Sequence, residues 1–232
     1  MTDKPDKFTG FSKSAVKFFR DLKKNNNKEW FNGHKDFYKS DVVAPAQLFV
    51  IELGNALKKI TPKINADPRV NKSLFRINRD VRFAADKSPY KTWMGLWLWE
   101  GAGPRMESSG YYFQLEPPNI MVAAGMHTLP QPLLKKYRDA VVDKKLGPEL
   151  TKTIAKVSTA GFEVGGEHYK RVPRGYDPEH KNADLLRYSG LWTAEEVKIP
   201  PQFYTRELIG WCVGRYKKMA PLHNWLTKML ER

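Results

Sequence analysis

Apolar residues in the first third of the chain recur at positions i, i+3, i+4 and i+7, the spacing that places them on one face of an α-helix. The first such set is Ala15, Phe18, Phe19 and Leu22. Ser12 stands where an N-cap residue would begin this helix, and the asparagines at 25–27 stand where it would end. The pattern predicts two further helices, one carrying Trp30 and one that follows Pro45 and ends before Pro62.

Apolar and polar residues alternate in the middle of the chain, which is the period of a half-buried β-strand. In residues 75–83 the apolar positions are Phe75, Ile77, Val81 and Phe83. Residues 93–99 are apolar on both faces, as expected of a central strand. Residues 111–116 and 120–125 flank Pro117-Pro118-Asn119, so this stretch predicts a β-hairpin.

The last third mixes both patterns. It predicts helices at 132–143 and 148–157, a short strand or turn at 161–166, a strand near 185–192, and a C-terminal helix that Pro221 restarts or kinks. These elements predict an α+β fold, a single domain with a mostly antiparallel central sheet covered by N-terminal and C-terminal helices. In this interpretation one domain spans residues 1–232, and residues 1–7 form a disordered tail.

The chain has 232 residues and a formal net charge of +15. This excess predicts anionic partners, either an anionic small molecule or nucleic acid. No run approaches the roughly 20 apolar residues of a membrane-spanning helix, so we expect no membrane partner. The first residues lack the apolar stretch of a secretory signal, and Cys212, the single cysteine, can form no internal disulfide. These features predict a cytoplasmic protein.

Much of the charge lies between residues 58 and 91, where ten basic residues accompany three acidic ones, a local excess of +7. On a regular strand Arg76, Asp80 and Arg82 would share one face, and two guanidiniums beside a carboxylate can bind a phosphate or carboxylate. The turn chemistry of residues 86–89 would direct further groups to the same ligand. The predicted ligand-binding residues of this block are Arg76, Arg82, Lys87, Tyr90 and Lys91.

Arg79 differs from its neighbours, because the same alternation places it on the apolar face between Ile77 and Val81. A buried guanidinium needs a carboxylate or several carbonyl partners. We therefore expect Arg79 to be a buried, paired structural arginine, whose replacement destabilises the fold more than replacement of Arg76 or Arg82. The alternative is that the charged residues between Arg76 and Lys91 form a solvated strand face with structural salt bridges.

Three residues are candidates for catalysis. Asp80 and Asp86 would each orient an arginine or act as a general base, and His127, after a predicted strand, is the best-placed histidine for acid–base chemistry.

A second basic cluster at residues 170–177 adds Arg171 and Arg174 as candidate anion ligands, although a basic surface loop has the same composition. The five histidines are far apart and no metal, P-loop or nucleophile-elbow motif occurs, so no metal site is predicted, and the sequence leaves the identity of any cofactor open.

Three blocks of the sequence resemble the family known as domain of unknown function 2461. They are residues 26–31 (NNKEWF), residues 76–91 (RINRDVRFAADKSPYK) and residues 173–176 (PRGY). Their order and spacing are similar to the family from Phe8 to the C-terminal helix, and the middle block is the most specific. The resemblance implies one full-length domain, and it implies no activity, substrate or catalytic residue.

Three functions fit these features. The first is the binding or processing of a phosphate-bearing small ligand or nucleotide by the central Arg, Asp and Lys cluster, since positioning and charge stabilisation dominate phosphoryl chemistry. The alternative is a nucleic-acid-binding protein without sequence specificity, whose binding weakens steeply as salt rises. The third is a non-catalytic interaction module. A concave pocket favours the first function, an extended basic stripe the second, and evenly scattered charge the third.

Overall fold

The computed structural model describes residues 7–232, and the tail predicted at residues 1–7 lies outside the described residues except for Lys7. The helices are α1 (Lys13–Lys24), α2 (Lys28–Gly33), α3 (Lys35–Phe37), α4 (Ala44–Leu57), α5 (Gln131–Val142), α6 (Leu146–Thr159) and α7 (Leu208–Glu231). The strands are β1 (Ile64–Asn65), β2 (Met94–Glu100), β3 (Gly110–Glu116), β4 (Asn119–Met126), β5 (Glu163–Glu167) and β6 (Tyr188–Lys198). Within this part of the chain no helix is both long and apolar enough to cross a membrane.

Helices α1 and α2 begin at the caps that the sequence predicts. Oγ of Ser12 accepts a hydrogen bond from the amide of Ala15 at 3.0 Å, and Oδ1 of Asn27 accepts one from the amide of Trp30 at 2.9 Å. Each cap satisfies an amide that the first helical turn would otherwise leave without a partner. Helix α4 continues from α3 through a π-helical turn, so the helical segment begins before Pro45 rather than after it.

The strands form one six-stranded antiparallel sheet in the order β1-β2-β3-β4-β6-β5, which confirms the α+β class. The hairpin predicted around Pro117 and Pro118 is present as β3 and β4. Strand β6 begins at Tyr188, later than the sequence pattern indicates, because residues 183–187 form a 3₁₀ helix instead. Helix α7 contains Pro221 and continues past it.

The chain divides into two compact units, and the divisions fall within strands and within α7. The first compact unit comprises the chain up to Leu98, with Tyr112–Val122 and Glu196–Gly214. The second comprises Trp99–Tyr111, Ala123–Glu195 and Arg215–Arg232. The interpretation of residues 1–232 as a single domain stays a prediction.

In the first compact unit the sheet buries one face. Leu96, Leu98 and Phe113 are fully buried, and the ring of Phe113 lies 5.1 Å from that of Phe49 on helix α4. Because side chains alternate along a strand, the residues between them point to the opposite face. That second face is half-exposed and carries Trp93, Trp97, Tyr112, Gln114 and Glu116. The β2–β3 pair therefore brings polar and aromatic side chains together outside the core.

The prediction of a β-strand at residues 75–83 is wrong. The segment is irregular, with single bridges from Leu74 to Leu96 and from Asn78 to Tyr90. Local hydrogen bonds replace the strand ladder beyond Asn78, because Lys87 Nζ donates to the carbonyl oxygen of Val81 at 3.0 Å and curls the chain back. Phe83, expected on the apolar face, is 97% exposed at the tip of this loop.

Replacing Gly54 with alanine is expected to lower the free energy of unfolding by about 1–3 kcal/mol. A Cβ at position 54 would clash with the Cβ of Ala66, because α4 passes close to the backbone that follows β1. Gly214 of α7 is the matched control, since nothing lies within 4 Å of a Cβ placed there. Gly214→Ala should be stabilising by about 0.5–1 kcal/mol. Urea unfolding measures both, and equal values would contradict the close packing at Gly54.

Candidate ligand-binding site

A cleft of about 590 Å³ opens in the first compact unit, a size typical of small-molecule sites. Its walls come from the end of α1, the irregular segment before β2, and the end of β3. The lining residues are Lys23, Asn26, Arg79, Asp80, Asp86, Ser88, Tyr90, Lys91, Thr92, Trp93 and Glu116. Most of them belong to the block that the sequence marks as the candidate site, so this block forms a concave wall.

The irregular segment folds back on itself to bring its two arms together. The amide of Arg79 donates to the carbonyl oxygen of Pro89 at 2.9 Å, and the amide of Lys91 donates to that of Ile77 at 2.8 Å. These bonds form a short two-armed ribbon without a regular strand. Arg79 and Asp80 line the cleft from one arm, and the residues that surround Pro89 line it from the other.

Asn26 joins the N-terminal helices to this ribbon. Its Nδ2 donates to the carbonyl oxygen of Tyr90 at 2.9 Å, and its Oδ1 accepts from the amide of Tyr90 at 3.1 Å. The side-chain amide thus pairs with both backbone groups of Tyr90, as a neighbouring strand would. The ring of Tyr90 stacks on Phe31 of α2 at a centroid distance of 4.1 Å. These contacts place Lys23, in the last turn of α1, at the rim of the cleft.

Arg79 is paired, but it is partly exposed rather than buried. Its Nη1 donates to Oδ2 of Asp86 at 2.5 Å and to the carbonyl oxygen of Ser88 at 3.0 Å, and 27% of its side-chain surface is exposed. The partner comes from the loop, seven residues further along the chain. Because Asp86 is 63% exposed, solvent screens this ion pair, and it contributes little to stability.

Both aspartates of the cleft have lowered pKa values. Hydrogen bonds from Ser88, and then the Arg79 guanidinium, lower the pKa of Asp86 to about 2. A hydrogen bond from Arg82 lowers the pKa of Asp80, whose Oδ2 lies 2.7 Å from the Arg82 guanidinium. A carboxylate stabilised in its charged form is a poor proton acceptor. The two groups are therefore better placed to orient arginines than to act as general bases.

Lys91 and Trp93 form one wall of the cleft together. Lys91 Nζ donates to the carbonyl oxygens of Arg76 at 2.6 Å and Asn78 at 3.3 Å, and it lies 5.4 Å from the centre of the Trp93 ring. The indole lies across Gly95, where a Cβ would be 2.5 Å from Cζ3 of Trp93. Glycine at position 95 thus makes room for the aromatic wall.

The remaining predicted site residues lie elsewhere. Arg76, Arg82 and Lys87 are exposed and do not line the cleft, although Arg82 contacts it indirectly through Asp80. The other three, His127, Arg171 and Arg174, belong to the second compact unit. Among residues 7–232 no group of three or more histidine, cysteine, aspartate and glutamate side chains is arranged to hold a metal ion.

Outside residues 76–91, sequence reasoning missed five lining residues: Lys23, Asn26, Thr92, Trp93 and Glu116. The sequence pattern places Lys23 at the end of the first predicted helix and Trp93 in a central strand that is apolar on both faces. A signal for Glu116 was present in the sequence. It follows Tyr112 and Gln114 at intervals of two, so the three polar side chains share the face of β3 opposite the core.

The family whose profile matches this chain is described as a conserved hypothetical protein, DUF2461, and the match covers residues 14–225. The match spans most of the chain, including all the residues that line the cleft. The chain belongs to this family, as the three sequence blocks indicate. No curated protein matches the chain.

Proposed function

We propose that the cleft binds a small ligand through a phosphate or carboxylate group, with Arg79 as the principal anion ligand. The observation that supports this proposal most strongly is that a single nitrogen of the Arg79 guanidinium makes its side-chain hydrogen bonds to described residues. Its side-chain hydrogen bonds to residues within 7–232 use Nη1 alone, so Nε and Nη2 donate to no other described residue. A guanidinium fixed at one nitrogen is preorganised to bind an oxyanion with the others.

The charges of the cleft support this assignment. Asp80 and Asp86 are each neutralised by an arginine, Arg82 and Arg79 respectively. Lys23 forms no ion pair within the described part of the chain, and Lys91 is a further cation of the lining. Besides Arg79, an anion would therefore meet two lysines, while the charges of Asp80 and Asp86 are already paired with arginines. Arg171 and Arg174, the second predicted cluster, have no part in this cleft's lining.

A thermal-shift experiment tests the proposal, because a ligand that binds the native state raises the melting temperature. Inorganic phosphate, AMP and a random single-stranded oligonucleotide are compared at one fixed ionic strength. We expect phosphate and AMP to stabilise the wild type and to lose this effect in Arg79→Ala. The control is Arg69→Ala, which removes an exposed arginine paired with Asp67 outside the cleft, and it should respond as the wild type does.

The arginine variants also distinguish anion binding in the cleft from anion binding by the broad basic surface. The sequence alone assigned the anion to Arg76 and Arg82, so the double alanine variant at these positions is a further comparison. A full phosphate response in this double variant with none in Arg79→Ala supports the cleft. Stabilisation by the oligonucleotide alone, steeply weakened by salt, would instead support nucleic-acid binding by the general charge of +15. An unchanged response in Arg79→Ala would refute the assignment.

A further inference from the structure

The cleft contains the carboxylate of Glu116, which a neighbouring side-chain amide orients. Glu116, at the end of β3, forms no ion pair with any residue in the described part of the chain, although Lys23, Arg79 and Lys91 line the same cleft. Arg79 contacts Asp86, and Lys91 contacts backbone carbonyl oxygens. The cations that share the cleft with Glu116 thus leave its charge without a direct partner.

A hydrogen-bond chain holds Glu116 in place. The Tyr112 hydroxyl donates to Oε1 of Gln114 at 2.6 Å, and Nε2 of Gln114 donates to Oε2 of Glu116 at 2.8 Å. The chain is directional, so Gln114 presents its amide nitrogen to Glu116. Burial, and then the charge of Glu116, raise the pKa of Tyr112, which keeps the hydroxyl protonated as the donor. Oε1 of Glu116 accepts no hydrogen bond from a residue within 7–232.

Two charged groups of the cleft thus have no ion-pair partner among the described residues, the ammonium of Lys23 and the carboxylate of Glu116. A ligand carrying only an anion would satisfy Lys23 and Arg79 but would place its charge in the same cleft as Glu116, and like charges brought together oppose binding. A ligand that also carries an ammonium would instead donate to Oε1 of Glu116 while its anionic group binds the cations.

We propose that the ligand of this cleft is zwitterionic, a small compound with an ammonium group for Glu116 and a phosphate or carboxylate for Arg79 and Lys23. Aminoalkyl phosphates and amino acids are the chemical classes that meet this requirement. This inference rests on the proposed function, because it adds a second contact to the same site. The ligand's anionic end fixes it at Arg79, and its ammonium provides selectivity against simple anions.

Isothermal titration calorimetry with matched ligands tests this inference. O-phosphoethanolamine is compared with ethyl phosphate, and γ-aminobutyrate with butyrate, so that each pair differs in the ammonium group. Wild type is compared with Glu116→Gln, which keeps an oxygen that can accept from Gln114 and removes the charge. We expect at least one ammonium-bearing ligand to bind the wild type tenfold or more tightly than its partner, and Glu116→Gln to abolish that advantage.

The outcomes separate the two proposals. If ethyl phosphate and butyrate each bind as tightly as their ammonium-bearing partners, or if Glu116→Gln leaves the difference intact, the zwitterion inference is wrong while the anion site stands. If no compound of either pair binds the wild type, the zwitterion inference is wrong, and the responses to phosphate and AMP in Arg79→Ala decide the anion site separately. A melting curve of Glu116→Gln that matches the wild type excludes unfolding as the cause of a lost preference.

Discussion

Replacing His223 with leucine is expected to lower the free energy of unfolding by about 2–6 kcal/mol, because two hydrogen bonds, one buried and one partly buried, are lost at about 1–3 kcal/mol each. His223 lies in α7, and its side chain is fully buried in the second compact unit. Nδ1 is 2.8 Å from Oγ of the buried Ser109, and Nε2 is 2.8 Å from Oε2 of Glu100. Leucine fills similar space but can partner neither group.

Urea unfolding measures this loss. The matched control is His168→Leu, an exposed histidine of the same unit, which should change the free energy of unfolding by about 0.5 kcal/mol or less. Equal stability of the two variants would show that the contacts of His223 to Ser109 and Glu100 contribute nothing measurable. The apolar appearance of the C-terminal helix gives no sign of this polar contact, since its partners lie more than a hundred residues earlier in the chain.

Replacing Asn26 with leucine is expected to cost about 2–4 kcal/mol of stability, because both backbone groups of Tyr90 lose a partly buried partner. The same change should abolish ligand binding, since Asn26 holds the ribbon that carries Arg79 and Lys91 against the N-terminal helices. Asn32→Leu, at an exposed position of α2, is the control and should affect neither property.

Circular dichroism melts and phosphate titrations distinguish the two effects of Asn26→Leu. Unchanged stability together with unchanged phosphate binding would show that Asn26 does not position the cleft. Weakened binding at a temperature where the variant is still folded would show that the amide contact to Tyr90 matters for the site itself.

Local chemistry explains which elements the sequence predicts well. The caps of Ser12 and Asn27 and the hairpin around Pro117 depend on neighbouring residues, so their positions follow from short stretches of sequence. The strand predicted at residues 75–83 does not form, and local interactions are again the cause. Its alternation is present, but the Asp80 carboxylate and the Lys87 ammonium bind nearby backbone groups and turn the chain before a ladder can form.

The candidate site was predicted in part. Residues 76–91 contain Arg79, Asp80, Asp86, Tyr90 and Lys91, all of which line the cleft. Arg76 and Arg82 owe their predicted roles to a strand that does not form, and they do not line the cleft. Lys23 and Glu116 come from distant segments, and only the folded chain brings them to the cleft.

Chemical-shift mapping of isotope-labelled protein with inorganic phosphate tests whether the cleft is the anion site, because it locates the anion without assuming which residue binds it. At fixed ionic strength, we expect saturable amide shifts at Lys23, Asn26, residues 79–93 and Glu116, and their loss in Arg79→Ala. Shifts spread over the basic surface, or centred on residues 170–177, would contradict this expectation.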